Sequence, residues 1–346
     1  MTRYETLKGV AQMKWYETAG ADTTPIISCR VRLARNIKAY PFFIMLKDTD
    51  AKKMIEEIRD TMTDQPFKYT DIRQTSNVEK LSLLEHHKIS LELLRSHAPG
   101  GLLSDNDDNI HIMLNEEDHI RIQSLASGKN IKKAYKEADK LDNILEKKLD
   151  YAFDENLGYL TSCPSNAGTG LRASYMVHLP MLEQTGRLSK IISQLSSFGM
   201  TIRGIYGENS EPVGSIYQIS NQMTMGKSEE EIIGNLENIT TQIVQAELDA
   251  LELNIKKAPI LFEDHIYRAY GILSNARQIG VKEARTMLSV LRLGVVSGIL
   301  TDPIPSIYNM MMNIEYGNLN KQGNLSDAQI DIERANYIRE ELINAR

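Results

Sequence analysis

Residues 163–173 read CPSNAGTGLRA. A cysteine, a proline, two glycines spaced G-x-G and an arginine in eleven positions admit three readings: a nucleotide loop, a nucleophile, or an ordinary turn. The stretch Gly168–Ala173 formally fits G-x-G-x-x-A, but no clear buried strand or βαβ unit precedes it, so a dinucleotide fingerprint is disfavoured. The other candidate phosphate loop, "GKS" at Gly226–Ser228, has Asn221 where a Walker motif needs glycine. It reads as a turn followed by a helix cap.

The rest of the chain narrows the choice. In 346 residues, 42% hydrophobic and 25% charged, there is enough material for one large domain or two around a sizeable core. A net charge of −6 argues against direct nucleic-acid binding. No apolar run approaches the ~18 residues of a membrane span. With two cysteines, Cys29 and Cys163, and no export signal, a cytoplasmic location is expected. There is no C-x-x-C or H-E-x-x-H pattern, and adjacent His86 and His87 cannot face one way on a strand, so no transition-metal site is assigned.

Several segments place arginines on candidate strands. In "SCRVRLAR" from Ser28, alternation puts Arg30 and Arg32 on one face and Cys29, Val31 and Leu33 on the other. "DNIHIMLNEEDHIRIQSL" alternates like a half-buried strand and would place Glu117, His119 and Arg121 together. Glu117 and Arg121 would then stand roughly 13 Å apart along the strand, too far for a salt bridge. "LRASYMVHLP" groups Arg172, Ser174, Met176 and His178. "MTIRGIYGENSE" adds Arg203, followed by a loop with Glu208 and Glu211. Arginines on four segments suggest a polyphosphate site, because guanidinium forks match phosphate geometry and keep their charge. Ile131, Ala134, Ala138, Leu141, Leu145 and Leu149 have helical spacing. Ser228 with Glu231, and Ser326 with Gln329, look like capping boxes. The first of these helices is expected to reach about Lys257, before Pro259. The patterns divide the chain into a mixed α+β domain over 1–256 and a smaller helical domain over 257–346. Met310, Met311 and Met312 there read as buried core or as an adaptable apolar surface.

With these residues in view, the chain resembles the ATP:guanidino phosphotransferase family. "SCRVRLARN", "NEEDHIRI", "CPSNAGTGLRA" and "IYGENSEPVGSIYQISNQ" carry the resemblance, in order, over roughly residues 28–245. The chain looks most like the bacterial protein arginine kinase branch, because only 27 residues precede the first motif and a helical extension follows. The resemblance implies a curved antiparallel sheet flanked by helices, with the site on its concave side. It implies ATP with Mg²⁺, the nucleotide being held by Arg30, Arg32, Arg121, Arg172 and Arg203, with Ser28, His87, Ala173, Ser174, Met176 and Tyr206 nearby. It makes Glu117 one carboxylate that grips the guanidinium, and Glu208 or Glu211 the second. Cys163 matches the active-site cysteine, an anion beside the substrate cation rather than a covalent nucleophile. Near the C-terminus "IDIERA" keeps Asp331 and Arg334 of a phosphoarginine-binding motif, but Ile330 replaces its first arginine. By resemblance the partners are protein substrates with exposed arginines, an activator protein and a stress-response AAA+ protease, and the chain is a homodimer. The rival readings are a kinase for free arginine or another small guanidino compound, and a catalytically silent arginine-binding adaptor.

Overall fold

A computed structural model of the chain describes residues 14–17, 22–204, 214–301 and 303–345. Eight strands form one sheet: β1 (Ile26–Arg35), β2 (Phe67–Asp71), β3 (Gly101–Asp105), β4 (Ile110–Leu114), β5 (Ile120–Ser127), β8 (Leu171–His178), β9 (Met200–Gly204) and β10 (Ile216–Asn221). A small separate hairpin pairs β6 (Phe153–Asp154) with β7 (Gly158–Tyr159). The large sheet runs β2-β3-β4-β5-β1-β8-β10-β9, every neighbour antiparallel. In such a sheet, directly opposed residues share a face.

One face is mainly apolar. Cys29, Val31 and Leu33 of β1, Ile122 of β5, Leu171, Ala173, Tyr175 and Val177 of β8 and Ile219 of β10 are buried in the main core. Helices α1 (Asp48–Thr61), α4 (Ile131–Glu146) and α7 (Glu229–Lys257) cover them. Ile131, Ala134, Ala138, Leu141 and Leu145 of α4, with Leu149 just beyond it, are all buried there, as their spacing predicts. Each large aliphatic side chain so buried contributes about 1.5–3 kcal/mol. The long helix α7 starts at a capping box between Ser228 and Glu231 and ends at Lys257. Pro259 then occupies the first turn of α8 (Pro259–Asn275), where its missing N–H costs nothing.

The opposite face is divided. At one end, Ile27, Leu125, Met176 and Ile216 lie under a second core built by α8, α9 (Val281–Val296), α10 (Ile307–Asn313) and α12 (Asp327–Asn344). Trp15 and Tyr16 belong to that core, as do Met310, Met311 and Met312, so the methionine run is interior. At the other end the face stays open and carries the arginines. Shorter helices edge this opening: α2 (Asn77–Glu85) and α3 (Leu91–Arg95). Helices α5 (Pro180–Gln184) and α6 (Leu188–Leu195) follow β8, and α11 (Tyr316–Leu319) packs on α2. Among the described residues no helix is long and apolar enough to cross a membrane.

The structure revises one expectation about the strands. "DNIHIMLNEEDHIRIQSL" is two strands, β4 and β5, joined by a turn over residues 115–119, with Asn115 at φ +55°. Glu117, His119 and Arg121 therefore do not share a strand face. His119 is buried with its ring tied to the Ile37 N–H and the Pro41 carbonyl.

Candidate active site

The open end of the sheet forms a cavity of about 520 Å³. Arg30 and Arg32 reach it from β1, Arg121 and Gln123 from β5, Arg172 from β8, Arg203 from β9 and Gln218 from β10. Register explains the grouping: Arg32 opposes Arg172 and Gln123, and Gln218 opposes Arg203. The remaining wall comes from the segment between α2 and α3, including His87 and Ser90, from Glu92 of α3, and from Glu117, Cys163, Ser165 and Asn166.

The arginines are crowded. Burial, then Arg121 and Arg172, bring Arg30 down to about 10. Burial, with Arg30, Arg121 and Arg172, drives Arg32 well below its ordinary value. A guanidinium does not give up its proton, so this repulsion is a cost borne by the folded state. Arg30 donates to Gln218 Oε1 (2.9 Å), while the Arg32 Nε is buried with no hydrogen-bond acceptor. Such a set of cations fits a polyphosphate, which supplies acceptors and opposite charge together.

Arg121 is balanced differently. Its Nη1 donates to both carboxylate oxygens of Glu116, at 2.5 and 2.6 Å. Burial works against charge on both groups. The pairing outweighs it, holding Glu116 below the usual carboxyl value and Arg121 above the usual guanidinium value. Ser90 Oγ also donates to Glu116. Glu117 is left facing the cavity. Burial raises its carboxyl, Arg121 partly offsets this, and Glu116 raises it again, so the net direction is upward.

Two further ties bring Glu117 and Cys163 into one cavity. Asn36, at the end of β1, donates to Asp118 Oδ1 (2.7 Å) and accepts from the His119 N–H (3.0 Å). The same Asp118 oxygen accepts the Ser162 N–H (2.7 Å), fixing the approach to Cys163. Cys163 Sγ lies 3.0 Å from Ser165 Oγ. Thr224 Oγ1 clamps the loop beyond by donating to the carbonyls of Ser165 (3.0 Å) and Ala167 (2.6 Å). Gly168 and Gly170 have φ of +106° and +65°. A Cβ would lie 2.7 Å from the Thr224 carbonyl oxygen at the first and 2.6 Å from that of Ala34 at the second. The opening motif is thus a tightly folded loop that requires both glycines.

His87 lines the cavity as expected, with φ +58° and its ring held neutral, lowered to about 3 by burial and by Arg30. Four expected nucleotide neighbours lie elsewhere. Ala173 points into the main core, because alternation along β8 turns it away from Arg172. Ser28, Ser174 and Met176 are buried on the arginine face but outside the cavity, Met176 beneath the C-terminal helices. Tyr206, Glu208 and Glu211 lie outside the described residues, between the two strands that carry Arg203 and Gln218. Arg334 is buried and donates to the carbonyls of Ile314 (2.8 Å) and Ile279 (2.9 Å) and to Asp331, while Ile330 sits in the interior. That arginine serves the helical core. Among the described residues no cluster of three or more His, Cys, Asp or Glu could hold a metal ion.

Sequence reading missed Glu116, Gln123 and Gln218. Gln123 follows Arg121 by two on one strand, and Gln218 is the alternating position of "IYQIS", so period two was the available signal. Nothing local distinguishes Glu116 from Glu117.

An antiparallel sheet whose arginines share one cavity with a carboxylate and a thiol suits an anionic phosphate donor and a cationic acceptor together. Residues 50–250 match the family described as ATP:guanido phosphotransferase, C-terminal catalytic domain, and the chain belongs to that family. Residues 259–346 match the protein-arginine kinase McsB C-terminal domain. The chain is 41% identical over 329 residues to the protein-arginine kinase of Caldanaerobacter subterraneus subsp. tengcongensis, covering 93% of this chain and 98% of that protein. It is 44% identical over 337 residues to that of Bacillus cereus, covering 95% of each. Among solved structures, lombricine kinase superposes with a TM-score of 0.60 at 24% identity over 70% of this chain and 71% of the other, a likeness of fold. The duplicated taurocyamine kinase of Schistosoma mansoni gives 0.57 at 26% identity over 68% of this chain and 35% of that one.

Proposed function

We propose that this chain transfers the γ-phosphoryl group of ATP to a guanidino nitrogen of arginine side chains in proteins. The observation that carries the proposal is a single cavity lined by Arg30, Arg32, Arg121, Arg172 and Arg203 together with Glu117 and Cys163. Whole-length similarity to protein-arginine kinases supports polypeptide arginine as the acceptor.

Phosphoryl transfer needs alignment and charge cancellation more than covalent help. Arg30, Arg32, Arg121, Arg172 and Arg203 bind the phosphates and draw charge from the departing ADP. Mg²⁺ would arrive with ATP and supply neutralising positive charge. The Glu117 carboxylate holds the guanidinium and accepts one of its protons. The freed nitrogen lone pair forms the N–P bond as the bond from the γ-phosphorus to the bridging oxygen breaks and ADP leaves. The raised affinity of Glu117 for a proton suits it to this task. Glu208 or Glu211 supplies the second carboxylate in this reading, and Cys163 a sulfur that faces the cation.

Incubating the chain with Mg-ATP and an unstructured arginine-rich protein is expected to yield acid-labile phosphoarginine. Protein that binds ATP but yields none refutes the proposal. Comparing turnover on free arginine tests the small-molecule reading. The cytoplasmic setting, dimeric assembly, activator, and delivery of marked proteins to a stress-response protease extend the same proposal. They are supported by the likeness to protein-arginine kinases, and co-purification with a AAA+ protease tests the last. The division of the chain near residue 256 is supported by the helix break at Ala258 and by the separate matches over 50–250 and 259–346.

A further inference from the structure

The cavity wall that runs from α2 through His87 to α3 is held from outside by the C-terminal helices. Ser82 Oγ donates to Asn318 Oδ1 (2.6 Å). The Glu85 carboxylate accepts the N–H groups of Gly317 (2.8 Å) and Asn318 (3.0 Å) at the start of α11. The approach is so close that a Cβ on Gly317 would lie 2.6 Å from the Ser82 nitrogen. The third contact is made by His87 itself. Its Nε2 lies 2.8 Å from the Tyr308 hydroxyl, and the two rings are parallel to within 5° at 6.5 Å.

His87 needs such support. Its φ of +58° is uncommon for a residue with a side chain, so contacts rather than local preference hold it. Tyr308 fixes the ring, and Gln123 Nε2, inside the cavity, donates to the His87 carbonyl (2.6 Å). Tyr308 is itself anchored. The Trp15 ring lies 5.7 Å away, Ser306 caps α10 and donates to the Tyr16 carbonyl (2.8 Å), and Asp22 accepts the Ile307 N–H (2.9 Å) while pairing with Arg292.

We propose that Tyr308 is a positioning residue of the nucleotide pocket: by holding His87 it sets the wall beside Arg30 and so the affinity for ATP. The inference rests on the reading of this cavity as an ATP site. Loss of the hydroxyl leaves a buried ring nitrogen without its partner and releases the wall. Glu117 and Cys163 make no hydrogen bond to Tyr308 or His87 among the described contacts.

The test uses the full chain carrying Tyr308→Phe, titrated with ATP by calorimetry and assayed at steady state. The Kd and KM for ATP are expected to rise about tenfold, the size of one buried hydrogen bond, with kcat changed less than about twofold. Tyr337→Phe is the control, since the Tyr337 hydroxyl accepts from Asn313 Nδ2 (3.2 Å) in the same helical core and neither residue lines the cavity. It is expected to lower the melting temperature comparably and leave ATP affinity alone. Wild-type affinity in Tyr308→Phe, or equal weakening in Tyr337→Phe, overturns the proposal. If Tyr308→Phe does not fold, Ser82→Ala carries the test, with ATP binding weakened about two- to threefold expected and unchanged binding decisive against it. A wild-type chain that binds no ATP overturns the reading of the cavity and the role of Tyr308 together, whereas the outcomes above with ATP bound by the wild type bear on Tyr308 alone.

Discussion

Arg32 on β1 stands directly across from Arg172 on β8, cation facing cation on one side of the sheet. Like charges in that relation destabilise a sheet, and here Arg30 and Arg121 add to the repulsion. The arrangement makes physical sense when an anion is bound between them.

Arg32→Leu is therefore expected to keep or raise the melting temperature of the nucleotide-free chain. It should weaken ATP binding roughly 10- to 100-fold, the range of a charge-assisted hydrogen bond. Thermal denaturation with and without ATP reads both effects. A lowered melting temperature with a retained ATP shift would count against the account.

The adjacent glutamates should separate cleanly. Glu117→Gln is expected to lower kcat about 100-fold or more, as loss of a proton acceptor does, with ATP affinity little changed. Glu116→Gln frees Arg121 and Ser90, so it should raise the KM for ATP and reduce stability. Steady-state kinetics on the two variants distinguishes them.

The pH dependence follows from the raised Glu117 carboxyl. The active form is the carboxylate, so kcat/KM should fall as pH drops through a value above the ordinary carboxyl range. In Glu116→Gln a raising influence is removed, and the acid limb of the profile should move to lower pH.

Glycine substitutions should rank by what surrounds them. Gly226 has φ +76° but open space around it, so Gly226→Ala should cost about 1–2 kcal/mol for the left-handed backbone alone. Gly170→Ala adds a clash with the Ala34 carbonyl and should cost more, with loss of activity through the Cys163 loop. Urea denaturation gives the order, and equal costs would contradict it.

Glu247 offers a stability test. Its buried carboxylate accepts the Met181 and Leu182 N–H groups at 2.8 Å each, and burial pushes it up to about 7. A raised carboxyl stabilises the fold most below its unfolded value, and that contribution is lost as pH rises through the folded value. The melting temperature should therefore decline from about pH 4.5 towards 7 through this group, and Glu247→Gln should flatten the decline.

Much of the site was legible because strands have a strict period. Alternation alone put Arg30 with Arg32, and the capping boxes at Ser228 and Ser326 are present. What failed did so for local reasons. Residues 115–119 are polar throughout, and the alternation on either side of them made the turn read as part of one strand continuing to Arg121. The family resemblance put Ala173 near the nucleotide, though the period places it on the face opposite Arg172. The tie from Tyr308 to His87 spans 221 positions, a separation at which no pattern in one chain announces a contact.

Asp118 accepts from both Asn36 and Ser162 through one oxygen. The segment that carries Glu117 and the segment that carries Cys163 therefore share one anchoring atom, so a change at position 118 would disturb both together.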